Sequence, residues 1–401
     1  MTNFLKKLYN IFSPFFLGIY SFAIYIFKYR KYRAVPLLKK GIVDNRNQFI
    51  ISHPQYTSIF ERLIKAYYCG KKNQETTDKP YRVGKLWQNL LDIRFDKLST
   101  ALGDRDISAV KALLENFHRE KCTEGAGGAF DDYIKMRKDP LYKYQFINTW
   151  YNYYHKYMEI SNNDEELRYP LVGNPAGLYY NEQVIPLDAL RYYYYATEIN
   201  SLLKNINNPV ICEIGGGVGG QAYAILTTCN NRAKYILLDI PEILLLASYF
   251  LMATLSEKKF LLYGENPLNS ETIEQYDTIL MPNFVLPQLA DQSVDLFFNA
   301  CSFSEMDKVT VEEYLNQIER IGRKYFMHIN HNIPFILQDA EGNKITNLKA
   351  DQIIPAPAQF KRVYKHPRVF ARLEDKLFYY YHKAGHFAFL YERIKPLKSK
   401  K

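Results

Sequence analysis

The sequence predicts an α/β fold with a doubly wound, mostly parallel sheet, preceded by a largely helical N-terminal part. Two apolar runs, Val210-Ile211-Cys212-Glu213-Ile214 and Tyr235-Ile236-Leu237-Leu238-Asp239, each carry an acid at or beside their end and flank the turn Gly215-Gly216-Gly217-Val218-Gly219-Gly220. A strand that turns through glycines into a helix and then feeds a second strand is the entry unit of a nucleotide-binding α/β domain. Strand-length apolar runs then alternate with helical patterns as far as residue 393, whereas residues 41 to about 200 carry helical periodicity almost alone. At 401 residues the chain exceeds the ~250 to 300 residues of a single core, so more than one unit is expected.

Taken in order, the first unit is residues 1–40. Leu8 to Phe27 is a run of twenty uncharged residues between Lys6-Lys7 and the basic stretch Lys28-Tyr29-Arg30-Lys31-Tyr32-Arg33. Its length suits a membrane span. Asn10, Pro14, Gly18, Ser21 and Tyr25 recur at helical spacing and form a weak polar face, which suits a helix lying among lipid head groups. A helix docked on the body is the third reading. If the segment spans, the heavier positive charge after it puts the remainder in the cytoplasm. No small-residue cleavage site follows, so a removed signal peptide is not expected.

Residues 41–205 form the helical unit. Asp106 is placed to cap a helix with Ile107, Val110, Leu113, Leu114 and Phe117 on one face. Gly125-Ala126-Gly127-Gly128 interrupts the pattern, and Gly173-Asn174-Pro175-Ala176-Gly177 marks a loop before a helix that runs through Arg191 to about Asn205. Residues 206–401 form the sheet unit. Strands are expected at 209–214, 234–239, 259–263, 277–282, 294–299, 324–330 and 385–393, with helices at 221–228, 241–255 and 310–322. Periodicity leaves open whether 259–263 or 277–282 is the third core strand. No repeat of solenoid length is present.

The net charge of +10 sits at the ends. Residues 1–40 hold eight Lys or Arg and no acid, and 395–401 hold four Lys and no acid, which leaves 40 basic against 42 acidic residues in the body. A nucleic-acid-binding domain carries its basic face on the folded body, so no nucleic-acid partner is expected. Basic ends suit an anionic membrane surface. The five cysteines are scattered and form no CxxC pair, which argues against a disulfide framework or a zinc site and for a reducing compartment. The clusters Tyr151-Asn152-Tyr153-Tyr154 and Tyr192 to Tyr195 offer aromatic faces for sugar rings, or reflect a general bias toward Tyr, Phe, Ile, Asn and Lys.

Ligands of open α/β sheets bind beyond the carboxyl ends of the strands. The candidates are therefore Glu213 to Gly219, Asp239, Met281-Pro282-Asn283, Asn299 to Glu305, and His328 to His331. Gly215, Gly217 and Gly220 fit the spacing of dinucleotide loops. Glu213, Gly215, Gly217 and Gly219 also fit the acidic-x-Gly-x-Gly-x-Gly loop of class I S-adenosylmethionine methyltransferases. The carboxylate of Glu213 suits a cationic ligand with a free amino group and opposes a pyrophosphate. Asp239 can accept from two ribose hydroxyls in either case.

Asn174-Pro175, Arg191 with Tyr192 to Tyr195, the Glu213 loop, Leu238-Asp239-Ile240-Pro241-Glu242 and Asn299-Ala300-Cys301-Ser302-Phe303-Ser304-Glu305-Met306 together resemble the sugar O-methyltransferase family found among bacterial surface-polysaccharide genes. The likeness covers residues 140 to 394. It implies a Rossmann-like class I methyltransferase sheet whose last strand, 385–393, is antiparallel at an edge. It implies S-adenosylmethionine as cofactor, with Glu213 and the glycines Gly215, Gly217 and Gly219 at its methionine part, Asp239 at the ribose and Asn283 at the adenine edge, although Asn283 replaces the commoner acid there; Ser302 is a further cofactor-binding candidate. It also implies a sugar or glycan acceptor, free, nucleotide-linked or lipid-linked.

Methyl transfer to a hydroxyl is an in-line displacement, in which alignment does most of the work and a base assists. Glu305, just after the fourth strand, is the first choice for the base and His331, just after the fifth, the second; each also has a purely structural reading as a cap, ion-pair partner or hydrogen-bonded loop residue. Arg191 and Asn174 are candidates for acceptor binding, Arg191 through an acidic group on the acceptor. Glu305, Asp307 and His331 could ligate a metal, but no spacing demands one. The expected protein is a sugar O-methyltransferase at the inner face of the membrane. The rivals are a nicotinamide-dependent sugar reductase or epimerase, which lacks the expected Tyr-x-x-x-Lys element here, and a cofactor-binding scaffold without catalysis.

Overall fold

The computed structural model describes residues 15–46, 53–161, 163–229, 232–332, 336–338, 344–370 and 385–394. The expectations for residues 8–14 and for the basic tail 395–401 lie outside the described residues. The helices are α1 (Ala34–Gly41), α2 (His53–Gln74), α3 (Lys85–Arg94), α4 (Asp96–Gly103), α5 (Ile107–Leu114), α6 (Phe130–Lys138), α7 (Tyr142–Ser161), α8 (Leu187–Leu203), α9 (Gly220–Thr228), α10 (Pro241–Thr254), α11 (Ser270–Gln275) and α12 (Lys308–Ile321). A small antiparallel hairpin, β1 (Leu178–Tyr180) and β2 (Gln183–Ile185), precedes α8. The Asp106 carboxylate caps α5 by accepting from Ala109 N–H at 3.0 Å, worth about 1 kcal/mol.

The central sheet is built from β3 (Val210–Ile214), β4 (Lys234–Asp239), β5 (Phe260–Leu262), β6 (Thr278–Pro282), β7 (Val294–Ala300), β8 (Gly322–His331), β11 (Phe360–Pro367) and β12 (His386–Arg393), with the short hairpin β9 (Ile336–Gln338) and β10 (Lys344–Thr346) outside it. Its order is β11-β12-β8-β7-β3-β4-β6-β5. All neighbours are parallel except β12, which is antiparallel to both β8 and β11. The order reverses at β3, which pairs with β4 on one side and β7 on the other, so the crevice lies over its carboxyl end. Both candidates for the third core strand are strands. The 278–282 run lies beside β4, and 260–262 forms the edge beyond it.

One expectation is corrected. The strand ending at Arg393 is antiparallel but not an edge strand, because β11 covers it. The sequence of β11, Phe-Lys-Arg-Val-Tyr-Lys-His-Pro, is charged on its exposed face, as suits an edge that must resist pairing with other chains.

The sheet is apolar on both faces. Ile211, Leu237, Leu280, Leu296, Phe298, Met327 and Ile329 join one core with α9, α10 and the N-terminal helices, while Cys212, Ile236, Leu238, Ile279, Phe297 and Phe326 join another with α12. Burial on both faces explains why these strands read as continuous apolar runs. The first core also holds Tyr25, Leu38, Leu63, Leu91, Leu102, Trp150 and Tyr193, so the change at residue 205 is a change of secondary structure and not of core.

The N-terminal segment is docked. Helical residues 15–24 continue through Tyr25–Tyr29 and pack on α7. Tyr29 stacks on Tyr151 at 4.6 Å, Phe22 meets Tyr144 at 4.9 Å, and Asn148 donates to Ser21 O at 2.9 Å. Phe15, Phe16, Ile19, Tyr20 and Phe27 are exposed, beside Lys28, Arg30, Lys31 and Arg33. Among the described residues, no helix is long and apolar enough to cross a membrane.

Candidate active site

The cleft above β3 takes its shape from the glycine turn. Gly215 and Gly217 adopt φ of 76° and 55°, conformations that a side chain rarely tolerates. Space forbids a side chain as well, since a Cβ on Gly215 would lie 2.3 Å from Ser302 Oγ and one on Gly217 2.3 Å from Ala126 O. Gly219, at φ 84°, is the residue before α9 and faces Leu251; it does not line the cleft, so its glycine serves the entry to the helix. Gly216 lines the cleft in its place.

The 125–128 segment lies over this turn. Ala126 O accepts from Val218 N–H at 2.9 Å, and Tyr192 Oη donates to Gly127 O at 3.3 Å. An ion pair between Arg94 and Glu124, 2.9 Å long, ties the start of the segment to α3. The broken helical pattern at Gly125 to Gly128 was the only sequence signal of this role.

The cleft has a volume of about 1000 Å3, part of it open to solvent. Three carboxylates line it. Glu213 is 2 % exposed and accepts from Tyr235 Oη at 2.7 Å. Asp239 accepts from Gly217 N–H at 3.0 Å and Ile240 N–H at 2.8 Å, which fixes the turn to the end of β4. Glu305, in the turn after β7, accepts from Trp87 Nε1 at 3.1 Å. Burial pushes each of them up to about 7; the charge of Asp239 adds to the shift of both Glu213 and Glu305, and the hydrogen bonds from Tyr235, the backbone and Trp87 oppose it. Among the described residues none of the three has a Lys or Arg within ion-pair distance. Buried acids without a cation are costly, and a ligand that brings positive charge and hydroxyl donors relieves that cost.

A buried amide network sets the turn after β7. Asn299 Nδ2 donates to Ile214 O and Ser302 Oγ, Asn330 Nδ2 donates to Asn299 Oδ1 at 2.8 Å, and Asn330 Oδ1 accepts from Ser304 N–H at 3.1 Å. Cys301 is held at φ 69° with its N–H on Ile329 O at 2.7 Å. Such a conformation costs on the order of 1–3 kcal/mol and turns the chain so that Ser302 and Glu305 both line the cleft.

Besides Gly219, three expected site residues lie elsewhere. Asn283 is buried and donates to Tyr81 O at 3.1 Å and Tyr314 Oη at 2.9 Å; Tyr81 covers it, and it does not line the cleft. Asn174 joins loops, accepting from Asn45 N–H at 2.9 Å and donating to Asn116 Oδ1 at 2.7 Å, outside the cleft. His331 ends β8 with its ring against His386 at 5.5 Å and is not among the lining residues. Arg191 does line the cleft, paired with Asp188 at 3.2 Å. Trp87, Gln221 and Arg368 line it without having been expected. No group of three metal-ligating side chains occurs among the described residues.

No family model and no curated protein matches the chain. Solved structures that overlap it include a SAM dependent methyltransferase from Aquifex aeolicus, at 12 % identity over 50 % of this chain and 89 % of that one, with a TM-score of 0.30. The 1,6-didemethyltoxoflavin-N1-methyltransferase of Burkholderia thailandensis, with bound S-adenosylhomocysteine, overlaps at 11 % identity over 51 % and 79 %, with a TM-score of 0.31. The magnesium protoporphyrin IX methyltransferase of Synechocystis PCC 6803, with bound SAM, overlaps at 11 % identity over 51 % and 81 %, with a TM-score of 0.30. Likenesses at this level fix neither substrate nor chemistry, which are read from the cleft itself.

Proposed function

We propose that the protein is an S-adenosylmethionine-dependent O-methyltransferase acting on a sugar hydroxyl in surface-polysaccharide assembly. The observation that carries the cofactor is the acidic cleft: Glu213, Asp239 and Glu305 converge there with no basic partner among the described residues. The residues fit a ligand with one or two cationic centres and a ribose. Glu213 would hold the ammonium, Asp239 has lone pairs left for ribose hydroxyls, and the glycine turn would let the ligand lie against the backbone. The same acids oppose a dinucleotide pyrophosphate, which disfavours the reductase reading.

When bound, S-adenosylmethionine would supply a methyl group already activated by the sulfonium. Glu305 then takes the acceptor's hydroxyl proton, held in position by Trp87. Trp87, Tyr192 and Tyr195 give the cleft aromatic faces on which a sugar ring can pack. The exposed aromatic face of residues 15–27 with its four flanking cations lies against anionic lipid, as an interfacial helix, and keeps the enzyme near lipid-linked acceptors.

Calorimetric titration of the full chain with S-adenosylmethionine, NAD(H) and NADP(H) tests the cofactor. Micromolar binding of S-adenosylmethionine alone, weakened in Asp239→Ala and Glu213→Gln, is expected. Binding of a nicotinamide cofactor instead overturns the reading, and binding of neither favours a scaffold.

A further inference from the structure

The cleft holds cations as well as acids. Arg191 and Arg368 line it together with Glu213, Asp239 and Glu305, and the charge of Arg191 opposes the burial that raises Glu213. Arg191 shares its charge with Asp188 and lies 5.3 Å from the Tyr192 ring centre. Arg368 follows β11, and among the described residues it is tied by its backbone alone, N–H to His386 O at 2.7 Å. Its Nε is buried without a hydrogen-bond partner, and no acid lies within ion-pair distance of it among the described residues. Tyr195 lines the same cleft, and its hydroxyl is likewise buried without a hydrogen-bond partner among the described residues.

Three separate groups register both guanidiniums together. The positive charges of Arg368 and Arg191 help depress His386, whose imidazole is held near about 2 chiefly by burial, and they oppose the burial that raises Tyr195 and Cys301. Two cations close enough to act on the same three groups, in a cleft also lined by Tyr195 and with Asp188 the one acid at ion-pair distance from either among the described residues, form an incomplete set on one wall. The missing member is an anion with several acceptor oxygens.

We propose that this wall is an anion subsite for the acceptor, in which Arg368, with Arg191 and the Tyr195 hydroxyl, holds a carboxylate or phosphate group of the molecule to be methylated. The assignment of the anion to the acceptor rests on the methyltransferase reading above. It narrows the substrate class to acidic sugars or phosphorylated glycosides, and it orients the acceptor, since an anion at Arg368 and a hydroxyl at Glu305 fix two points of one molecule.

The test uses the full chain loaded with S-adenosylhomocysteine, so that the cofactor's own carboxylate is already accounted for, titrated separately with inorganic phosphate and with glucuronate. Millimolar binding of at least one is expected, weakened roughly tenfold or more by Arg368→Met, largely retained by Arg368→Lys, with the affinity for S-adenosylhomocysteine unchanged. Preference for phosphate or glucuronate tells a phosphorylated acceptor from a uronic acid. No binding of either, or a loss confined to S-adenosylhomocysteine affinity in Arg368→Met, overturns the proposal, the latter by giving Arg368 to the cofactor's carboxylate. If S-adenosylhomocysteine itself fails to bind, the cofactor reading falls. The same titrations on the unloaded chain then decide the subsite: anion binding that Arg368→Met abolishes upholds it, and its absence ends it.

Discussion

At the scale of single residues, the cleft holds its acids where protonation and ligand compete. Glu213 and Asp239 have folded-state values near about 7, above their ordinary 4.5 and 3.8. They therefore favour the folded protein fully at low pH, and that contribution is lost as pH rises through about 7. A cationic ligand reverses the penalty, so its binding should expel protons just below neutrality. Calorimetry in buffers of different ionisation enthalpy would show this as a buffer-dependent heat, and a heat independent of buffer would contradict it. As the proposed base, Glu305 would act only when ionised, so kcat/KM, which follows the ligand-free protein, is expected to rise with pH through about 7. Glu305→Gln should lower kcat by about 10²- to 10⁴-fold and leave S-adenosylhomocysteine affinity intact. If only affinity changes, Glu305 is a binding residue. These acids were legible in the sequence because each ends or follows a strand within a local pattern. Asn283 and Asn174 were misread because their partners, Tyr81 and Asn45, come from distant segments that no local spacing reveals. Arg368 was missed because only the pairing of β11 with β12 brings it to the cleft.

At the scale of elements, β3, β4, β6, β7 and β8 could be read from sequence because burial on both faces makes them unbroken apolar runs. β11 could not, because an edge strand with Lys361, Arg362, Lys365 and His366 looks like a loop. The 125–128 segment was visible only as a helix break, and its role as a cover is tertiary. Two of its glycines separate backbone from packing. Gly127 has φ 94° and a Cβ there would meet Tyr192 Oη at 2.4 Å, whereas Gly125 has φ 85° and open space around it. Gly127→Val should therefore lift the segment and weaken S-adenosylhomocysteine binding roughly tenfold. Gly125→Asn, which tolerates the left-handed region, should bind as the parent does. Equal effects of the two would mean that the segment does not cover the ligand.

At the scale of the whole molecule, the helical part and the sheet share one core, so residues 206–401 expressed alone should lose near-ultraviolet circular dichroism and bind a hydrophobic dye; a sharply melting fragment would contradict this. Removing residues 1–40 is equally disruptive, since Tyr25, Tyr29, Ala34 and Leu38 are core residues. The membrane surface is better tested by Phe16→Glu with Phe27→Glu, at side chains 65 % and 87 % exposed. The parent should sediment with phosphatidylserine vesicles, less so at high salt, and the double variant should stay in the supernatant. Equal sedimentation of both would remove that face from the interaction. The crossing of the 125–128 segment over the glycine turn, finally, bears on tempo. The Ala126 O to Val218 N–H contact holds the segment beside the turn, and under the proposed function release of the spent cofactor is expected to require that this contact part. Turnover under saturating conditions should then slow as solvent viscosity rises, with the segment acting as a clock on exchange while the displacement itself runs ahead of it.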